Sequence, residues 1–418
     1  MKFVVFSLGC RVNQYEGQSI IKKLISLGFD ATDKLEKADC YIINTCSVTS
    51  EADKKSRQAV ARVKKYNENA KVFIMGCSSQ NNSEKFTEKD GVYLVSGVAN
   101  KMDFVTKILD TLSGKCDKKV EISPLPTIYE DNFSPSLTQS RAFIKVQDGC
   151  NNFCSYCIIP YLRGRSRSRN LSSIVEEAKS LIGKTRELVI TGINVSAYGK
   201  DISLSLVDLI KALGQIPMRK RFGSLECTVI TEELLQAMVD NGFCGSFHLS
   251  MQSGSDSVLK KMNRHYDSKE FLRIVSLIRT YYPFAGITTD VIAGFPTETE
   301  EEHNETMQTC AKAKFLHMHV FPYSEREGTK ASKMEQVDKS VRVKRANELI
   351  ALSAKMKEEF LSSQIGTEHE VFIEESENDY NVGYTDNFIK VYSHAPIGSM
   401  LKHKLTEIYG EGVKGEIL

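Results

Sequence analysis

Cys150-Asn151-Asn152-Phe153-Cys154-Ser155-Tyr156-Cys157 lies just beyond a short stretch, Phe143-Ile144-Lys145-Val146, with the aromatic and β-branched character of a buried strand. Three thiols this close in sequence can converge on one metal centre. Structural zinc sites normally draw on two separated ligand pairs, and the sequence contains no second CxxC and no HxxxH. A [4Fe–4S] cluster is usually held by four thiolates. Three would leave one iron open to an exogenous ligand, so a cluster is the favoured reading over zinc.

On either side of this motif, strand and helix alternate. Downstream, strand-like runs near 187–190, 221–225, 246–250, 286–292 and 316–321 are separated by helical stretches, one of them over 173–181 with a Ser173…Glu176 capping-box pattern. Six such units predict an α/β barrel or partial barrel, a fold that places chemistry at the C-terminal ends of its strands. Upstream, strands over 2–8, 40–44, 71–75 and 92–95 alternate with helices over 14–27, 51–66 and 101–112. That pattern predicts a parallel sheet with helices on its faces. Pro124, Pro126 and Pro135 interrupt the periodicity over 113–139, which reads as a linker. After a long helix over 340–363 come short β runs at 370–373, 388–392, 401–408 and 413–417, divided by turns such as Glu377-Asn378-Asp379 and Gly410-Glu411-Gly412. The expected organisation is an α/β chain: an open parallel sheet over 1–112, a partial (β/α)6 barrel over 140–363 and a small β-barrel over 364–418.

A chain of 418 residues has room for two or three domains with sizeable cores. Its 41% hydrophobic and 26% charged residues exclude a disordered or collagen-like protein. With 55 basic against 53 acidic residues the net charge is +2, so a nucleic-acid partner would have to be held by a local basic patch. No apolar run approaches the roughly 18 residues of a membrane span. The apolar start is too short for a signal peptide, with Arg11 close behind it, and a cytoplasmic location without membrane partners is expected. Eleven cysteines, an odd number in a reducing compartment, argue against a disulfide framework and for metal chemistry.

Cys10, Cys46 and Cys77 share one setting: each directly follows a predicted strand of the N-terminal sheet. Ligand sites in open parallel sheets lie beyond these strand ends. One such cysteine would be read as ordinary core, as Cys40 and Cys116 are. Three can face a single crevice, and a second cluster with an open iron is expected there.

With both triplets in place, the sequence resembles the radical SAM methylthiotransferase family. A CxxxCxxC loop at the end of the first barrel strand, with Tyr156 before the last cysteine, is similar to the S-adenosylmethionine (SAM) loop of the radical SAM superfamily. Gly9-Cys10-Arg11-Val12-Asn13-Gln14-Tyr15-Glu16, Asn44-Thr45-Cys46-Ser47-Val48-Thr49 and Gly76-Cys77-Ser78-Ser79-Gln80 resemble the family's N-terminal motifs. The segment from Asp148 to Arg169 resembles its central motif, and the terminal β segment with Gly383-Tyr384-Thr385 resembles the TRAM RNA-binding domain. Within the family, Glu51-Ala52-Asp53-Lys54-Lys55-Ser56-Arg57-Gln58 and Val12 to Glu16 point to the branch acting on N6-threonylcarbamoyladenosine beside the tRNA anticodon. Branches acting on N6-isopentenyladenosine or on a ribosomal-protein aspartate are the alternatives.

The resemblance implies two [4Fe–4S] clusters, one on Cys150, Cys154 and Cys157, the other on Cys10, Cys46 and Cys77. It implies SAM contacts from Thr191, Gly192 and Asn194 after the second barrel strand, Glu226 after the third, Gln252 and Ser253 after the fourth, and Asp290 on the fifth. One SAM would be cleaved to a radical that takes hydrogen from C2 of the adenine, and a second would methylate the sulfur that is transferred. An electron donor and a sulfur source are implied as partners. Arg163, Arg165, Arg167 and Arg169 alternate with small residues, and in an extended segment would present one face to tRNA phosphates. Tyr384, Phe388, Lys390 and Tyr392 would offer stacking and charge to the anticodon loop. A non-enzymatic iron–sulfur carrier would need neither the strand-end motifs nor an RNA domain. A radical SAM enzyme acting on a small molecule would leave the arginine run and the terminal domain unused.

Overall fold

The structure is a computed structural model and describes residues 1–117, 119–131 and 140–418. The N-terminal unit is a parallel sheet in the order β2-β1-β3-β4-β5-β6, from β1 (Lys2–Ser7), β2 (Asp30–Thr32), β3 (Cys40–Thr45), β4 (Lys71–Gly76), β5 (Val92–Ser96) and β6 (Val120–Glu121). Successive side chains of a strand point to opposite faces. Phe3, Val5, Ile42 and Phe73 accordingly pack on one side against Ile20, Leu24, Phe104 and Ile108 of the helices Arg11–Ser26 and Lys101–Leu112. Val4, Tyr41, Ile43 and Ile74 pack on the other against Ala59, Val60 and Val63 of the helix Ser50–Lys64. β6 carries this sheet into the stretch read as a linker, and Leu125 packs beside Cys77, Ile158 and Leu162. Residues 118 and 132–139 of that stretch, with Pro135, lie outside the described residues.

In the central unit β7 (Arg141–Asp148), β9 (Glu187–Gly192) and β10 (Arg219–Phe222) lie side by side and parallel, with the short β8 (Arg167–Ser168) antiparallel on the end of β7. Isolated bridges Lys220–Phe243 and Leu225–Leu249 join β10 to a second parallel set: β11 (Ser246–Gln252), β12 (Gly286–Ala293) and β13 (His317–Pro322). The result is six parallel strands in chain order, a partial barrel. One large core fills the space between strands and outer helices, and the helix Lys339–Gln364 adds Ala346, Leu349 and Met356 to it. The helix Leu171–Ser180 differs from expectation at its start. Its cap is Asn170, whose side chain accepts from the Ser172 N–H; Ser173 instead takes a hydrogen bond from Arg169 Nη2 (2.9 Å), so the Ser173…Glu176 box does not form.

The C-terminal unit is a closed barrel of five strands, ordered β14-β15-β16-β18-β17: β14 (Glu368–Glu377), β15 (Tyr380–Thr385), β16 (Lys390–Ser393), β17 (Met400–Tyr409) and β18 (Gly412–Ile417). That is one strand more than the sequence suggested. β15 contains Asn381 and Gly383, poor strand formers, and is held by ladders to β14 and β16. The barrel docks on the central unit: Arg219 donates to the carbonyls of Tyr384 (2.9 Å) and Glu370 (2.8 Å), and Asn387 to that of Phe284 (2.8 Å).

Candidate active site: two cysteine cradles and a shared cavity

β1, β3 and β4 are neighbours in the N-terminal sheet and parallel, so their C-terminal ends lie together. Cys10 caps the helix after β1, Cys46 directly follows β3, and Cys77 opens the short helix after β4. The three thiols lie within electrostatic reach of one another. Gly9 has φ +88°, and a Cβ there would stand 2.4 Å from Cys46 Sγ, so the close approach requires glycine. Burial pushes the Cys77 thiol up to about 11 and raises that of Cys46 as well. Without metal these thiols keep their protons, and ligation would release them.

The second cradle is the loop after β7. The Asn152 N–H (3.5 Å) and the Asn194 amide (3.7 Å) point at Cys150 Sγ, and Arg264 Nη1 lies 3.5 Å from Cys154 Sγ. Burial pushes Cys157 up to about 12, with Cys154 and Cys150 adding to the shift. Among the described residues no three thiols, imidazoles or carboxylates stand close enough to share a single metal ion. Zinc would gather its sulfurs at about 2.3 Å from one point. A four-iron cluster takes each thiolate on a different iron, which suits thiols that are neighbours without meeting.

A buried ionic network joins the cradles. Arg163 Nε donates to Cys77 Sγ (3.3 Å), Nη2 to Asn13 (2.7 Å) and Nη1 to Glu16 (2.9 Å) and Asp148 (3.2 Å). Lys145 bridges Glu16 (2.8 Å) and Asp148 (2.6 Å), and Arg167 reaches Asp148 (3.1 Å). Burial opposes charge on both carboxylates, but Arg163, Lys101 and Lys145 hold Glu16 below the usual carboxylate range, and Lys145, Arg163 and Arg167 do the same for Asp148. On the far side, Arg326 donates to Ser47 (2.6 Å), and the Ser50 hydroxyl to the Glu325 carbonyl (2.7 Å). These contacts seat the N-terminal sheet over the mouth of the partial barrel.

Between the units lies a cavity of about 760 Å³, lined by Cys10 and Arg11, by Thr191, Gly192 and Asp290 of the partial barrel, and by Tyr384, Phe388 and Lys390 of the terminal barrel. Inside it His248 Nε2 stands 3.1 Å from Asp290, and the rings of His317 and His319 are 4.7 Å apart. Phe388 stacks on Tyr384 (4.7 Å), with the Arg221 guanidinium 4.5 Å from its centre.

The residues expected at the SAM site divide. Thr191, Gly192 and Asp290 line the cavity. Asn194 turns to Cys150, while Glu226 accepts from the Asn152 amide and lies 3.5 Å from Arg264, both at the second cradle. Gln252 ends β11 with φ 68°. Ser253 is corrected: it is fully buried, its hydroxyl 3.1 Å from that of Thr306 and accepting from the Ser255 N–H, so it serves a turn. The arginine run is corrected too. Gly164, at φ +78°, ends the helix Ile159–Arg163, and the chain turns into β8 instead of staying extended. Arg163, Arg167 and Arg169 are 1%, 3% and 1% exposed and paired with carboxylates, which leaves Arg165 alone at the surface, 4.6 Å over Phe153. Tyr384 and Lys390 face the cavity, with Lys390 paired to Glu377. Arg264 escaped sequence reading; its signal is Asn263, a left-handed residue (φ 61°) that turns the chain back to the cysteine loop.

A model of the radical SAM superfamily matches residues 144–310, and one described as uncharacterized protein family UPF0004 matches residues 2–97. The chain is 36% identical to the threonylcarbamoyladenosine tRNA methylthiotransferase MtaB of Bacillus subtilis, covering 97% of this chain and 94% of that protein. It is also 36% identical to the MtaB of Aquifex aeolicus, covering 96% and 99%. With the tRNA-2-methylthio-N(6)-dimethylallyladenosine synthase of Dictyoglomus thermophilum it shares 33%, covering 100% and 98%. Among solved structures the radical SAM methyltransferase TsrM of Kitasatospora setae superposes with a TM-score of 0.58 at 14% identity, over 79% of this chain and 75% of that one, a likeness of fold.

Proposed function

Since this chain belongs to the radical SAM methylthiotransferase family, we propose that its substrate is N6-threonylcarbamoyladenosine next to the anticodon of tRNA, and its product the 2-methylthio derivative. The chain is a tRNA methylthiotransferase that works by radical SAM chemistry. Support for this nucleoside comes from the relatives at 36% identity, all MtaB proteins, against 33% for a synthase acting on the dimethylallyl nucleoside. The observation that carries the reading is the cavity: Cys10 of one triplet and the strand ends that lead to the other open into a single space.

In this reading Cys10, Cys46 and Cys77 hold one [4Fe–4S] cluster and Cys150, Cys154 and Cys157 the other, each leaving an iron open. When bound, the clusters and SAM supply the radical and sulfur chemistry that acid–base side chains cannot provide at an aromatic C–H bond. The protein's part is placement. Arg163 orients Cys77, Asn194 orients Cys150, and Arg264 orients Cys154 and Glu226 together. Contacts at Glu16, Ser47 and Ser50 keep the two cradles in one geometry, because a bond between two reactants forms efficiently only when both are held in register. The anticodon loop enters from the side of the terminal barrel, where Tyr384 and Phe388 offer stacking faces. The reaction takes place in the cytoplasm, with an external electron donor and sulfur source. Mass spectrometry of tRNA nucleosides from a deletion strain tests the reading. It expects loss of the 2-methylthio group from the threonylcarbamoyl nucleoside; loss from the isopentenyl nucleoside instead would overturn it.

A further inference from the structure

Arg11 is set apart from the other cations of the cavity. Arg221 is paired with Glu187 (2.6 Å), Lys357 with Glu411 and Lys390 with Glu377. Among the described residues no carboxylate lies within ion-pair distance of Arg11, and its guanidinium makes no hydrogen bond; its nearest aromatic contact is Phe143, 5.9 Å away. The group stands beside Gly223, where a Cβ would come within 3.2 Å of Nη1, so the absence of a side chain there leaves it room. Although exposed to the cavity, it is walled by protein. Arg221, Arg141 and Glu187 lie within electrostatic reach of it, and Glu187 is itself paired with Arg221. A cation without an ion-paired partner of its own is stabilised when an anion arrives.

We propose that Arg11 binds the threonyl carboxylate of the modified adenosine and thereby selects the threonylcarbamoyl substituent over an apolar one. The inference rests on the nucleoside reading above. C2 and C6 of adenine flank the same ring nitrogen, N1, and C6 carries the N6 substituent. A group that meets the substituent must therefore stand next to the group that meets C2, and Arg11 adjoins Cys10. Guanidinium and carboxylate pair through two parallel hydrogen bonds. An isopentenyl group offers nothing to offset the cost of covering this cation.

The test uses full-length, cluster-reconstituted protein and four anticodon stem-loop RNAs: one with unmodified adenosine, one with N6-threonylcarbamoyladenosine, one with its threonyl methyl ester, which removes the charge at the cost of one added methyl, and one with N6-isopentenyladenosine. Wild-type protein should bind the acid about 10- to 100-fold more tightly than the ester, the range of charge-assisted hydrogen bonds. Arg11→Gln should lose that preference, bind unmodified RNA as wild type does and keep its iron; Arg11→Lys should retain part of the preference. Equal binding of acid and ester by wild-type protein overturns the proposal, and that measurement needs no variant. So does an Arg11→Gln protein that loses affinity for unmodified RNA to the same extent, which would make Arg11 a phosphate contact. If wild-type protein methylthiolates an isopentenyl stem-loop and leaves the threonylcarbamoyl one untouched, the nucleoside reading itself fails. If it modifies the threonylcarbamoyl RNA yet does not distinguish acid from ester, only the role of Arg11 fails.

Discussion

Arg163 and Arg165 are two residues apart and do opposite work. Arg163 is buried against Glu16 and Asp148, so replacing it with Leu removes one cation and its hydrogen bonds from a buried network in which Lys145 and Arg167 remain. The expected loss is about 1.5–3 kcal/mol of stability, read from denaturant unfolding. Arg165 is at the surface. Arg165→Gln should change stability by less than about 0.5 kcal/mol. If it meets a phosphate, it should reduce the salt dependence of tRNA binding by about 0.7–0.9 in the log–log slope. The cysteines act as sets. Reconstituted protein should hold about eight irons, and Cys150, Cys154 and Cys157 replaced together by Ala should leave about four; an iron assay on the two proteins decides. Glu298 adds a pH dependence. Burial pushes its carboxyl up to about 7, against the pull of Arg345. From 4.5, its ordinary value, up to about 7 the folded protein holds a proton that the unfolded chain has released. Stability should therefore fall as pH rises through this window. Urea midpoints measured across it should show a shallower decline in Glu298→Gln.

The helix Leu171–Ser180 illustrates how one element's start is decided. Ser173…Glu176 fits the capping pattern, but Asn170 occupies the cap and Ser173 is taken by Arg169. Asn170→Ala should therefore cost about 1 kcal/mol, while Glu176→Ala, on the exposed face, should be nearly neutral; thermal or denaturant unfolding of the two variants distinguishes them. Long elements with strong periodicity were legible in the sequence. The helix Lys101–Leu112 has the expected bounds, and the helix Lys339–Gln364 runs one residue past the expected range at each end. β15 was not legible, because its stability comes from two neighbouring strands and not from its own residues.

The three units form one working body. The terminal barrel supplies Tyr384, Phe388 and Lys390 to the cavity wall, and its core is continuous with Leu316 and Leu361 of the central unit. Deleting residues 366–418 should therefore weaken tRNA binding and also destabilise the remainder by uncovering that core, visible as a lower unfolding midpoint beside a tRNA-binding assay. Replacing Cys10, Cys46 and Cys77 with Ala should act differently. SAM cleavage at the second cradle should persist while methylthio transfer is lost, and product analysis for 5′-deoxyadenosine and for the modified nucleoside separates the two.

Strand–helix alternation, the break around 113–139 and the two cysteine triplets at strand ends can all be read from the chain alone, because each is set by local periodicity or by short spacing. The fate of the arginines cannot. An arginine at the surface and one buried against a carboxylate have the same sequence signal. Arg163 is buried because Glu16, on a helix of another unit, folds down onto it. Arg264 reaches Cys154 because the turn at Asn263 brings the chain back to a cysteine loop more than a hundred residues away, and Arg11 enters a cavity that is closed only when the terminal barrel docks.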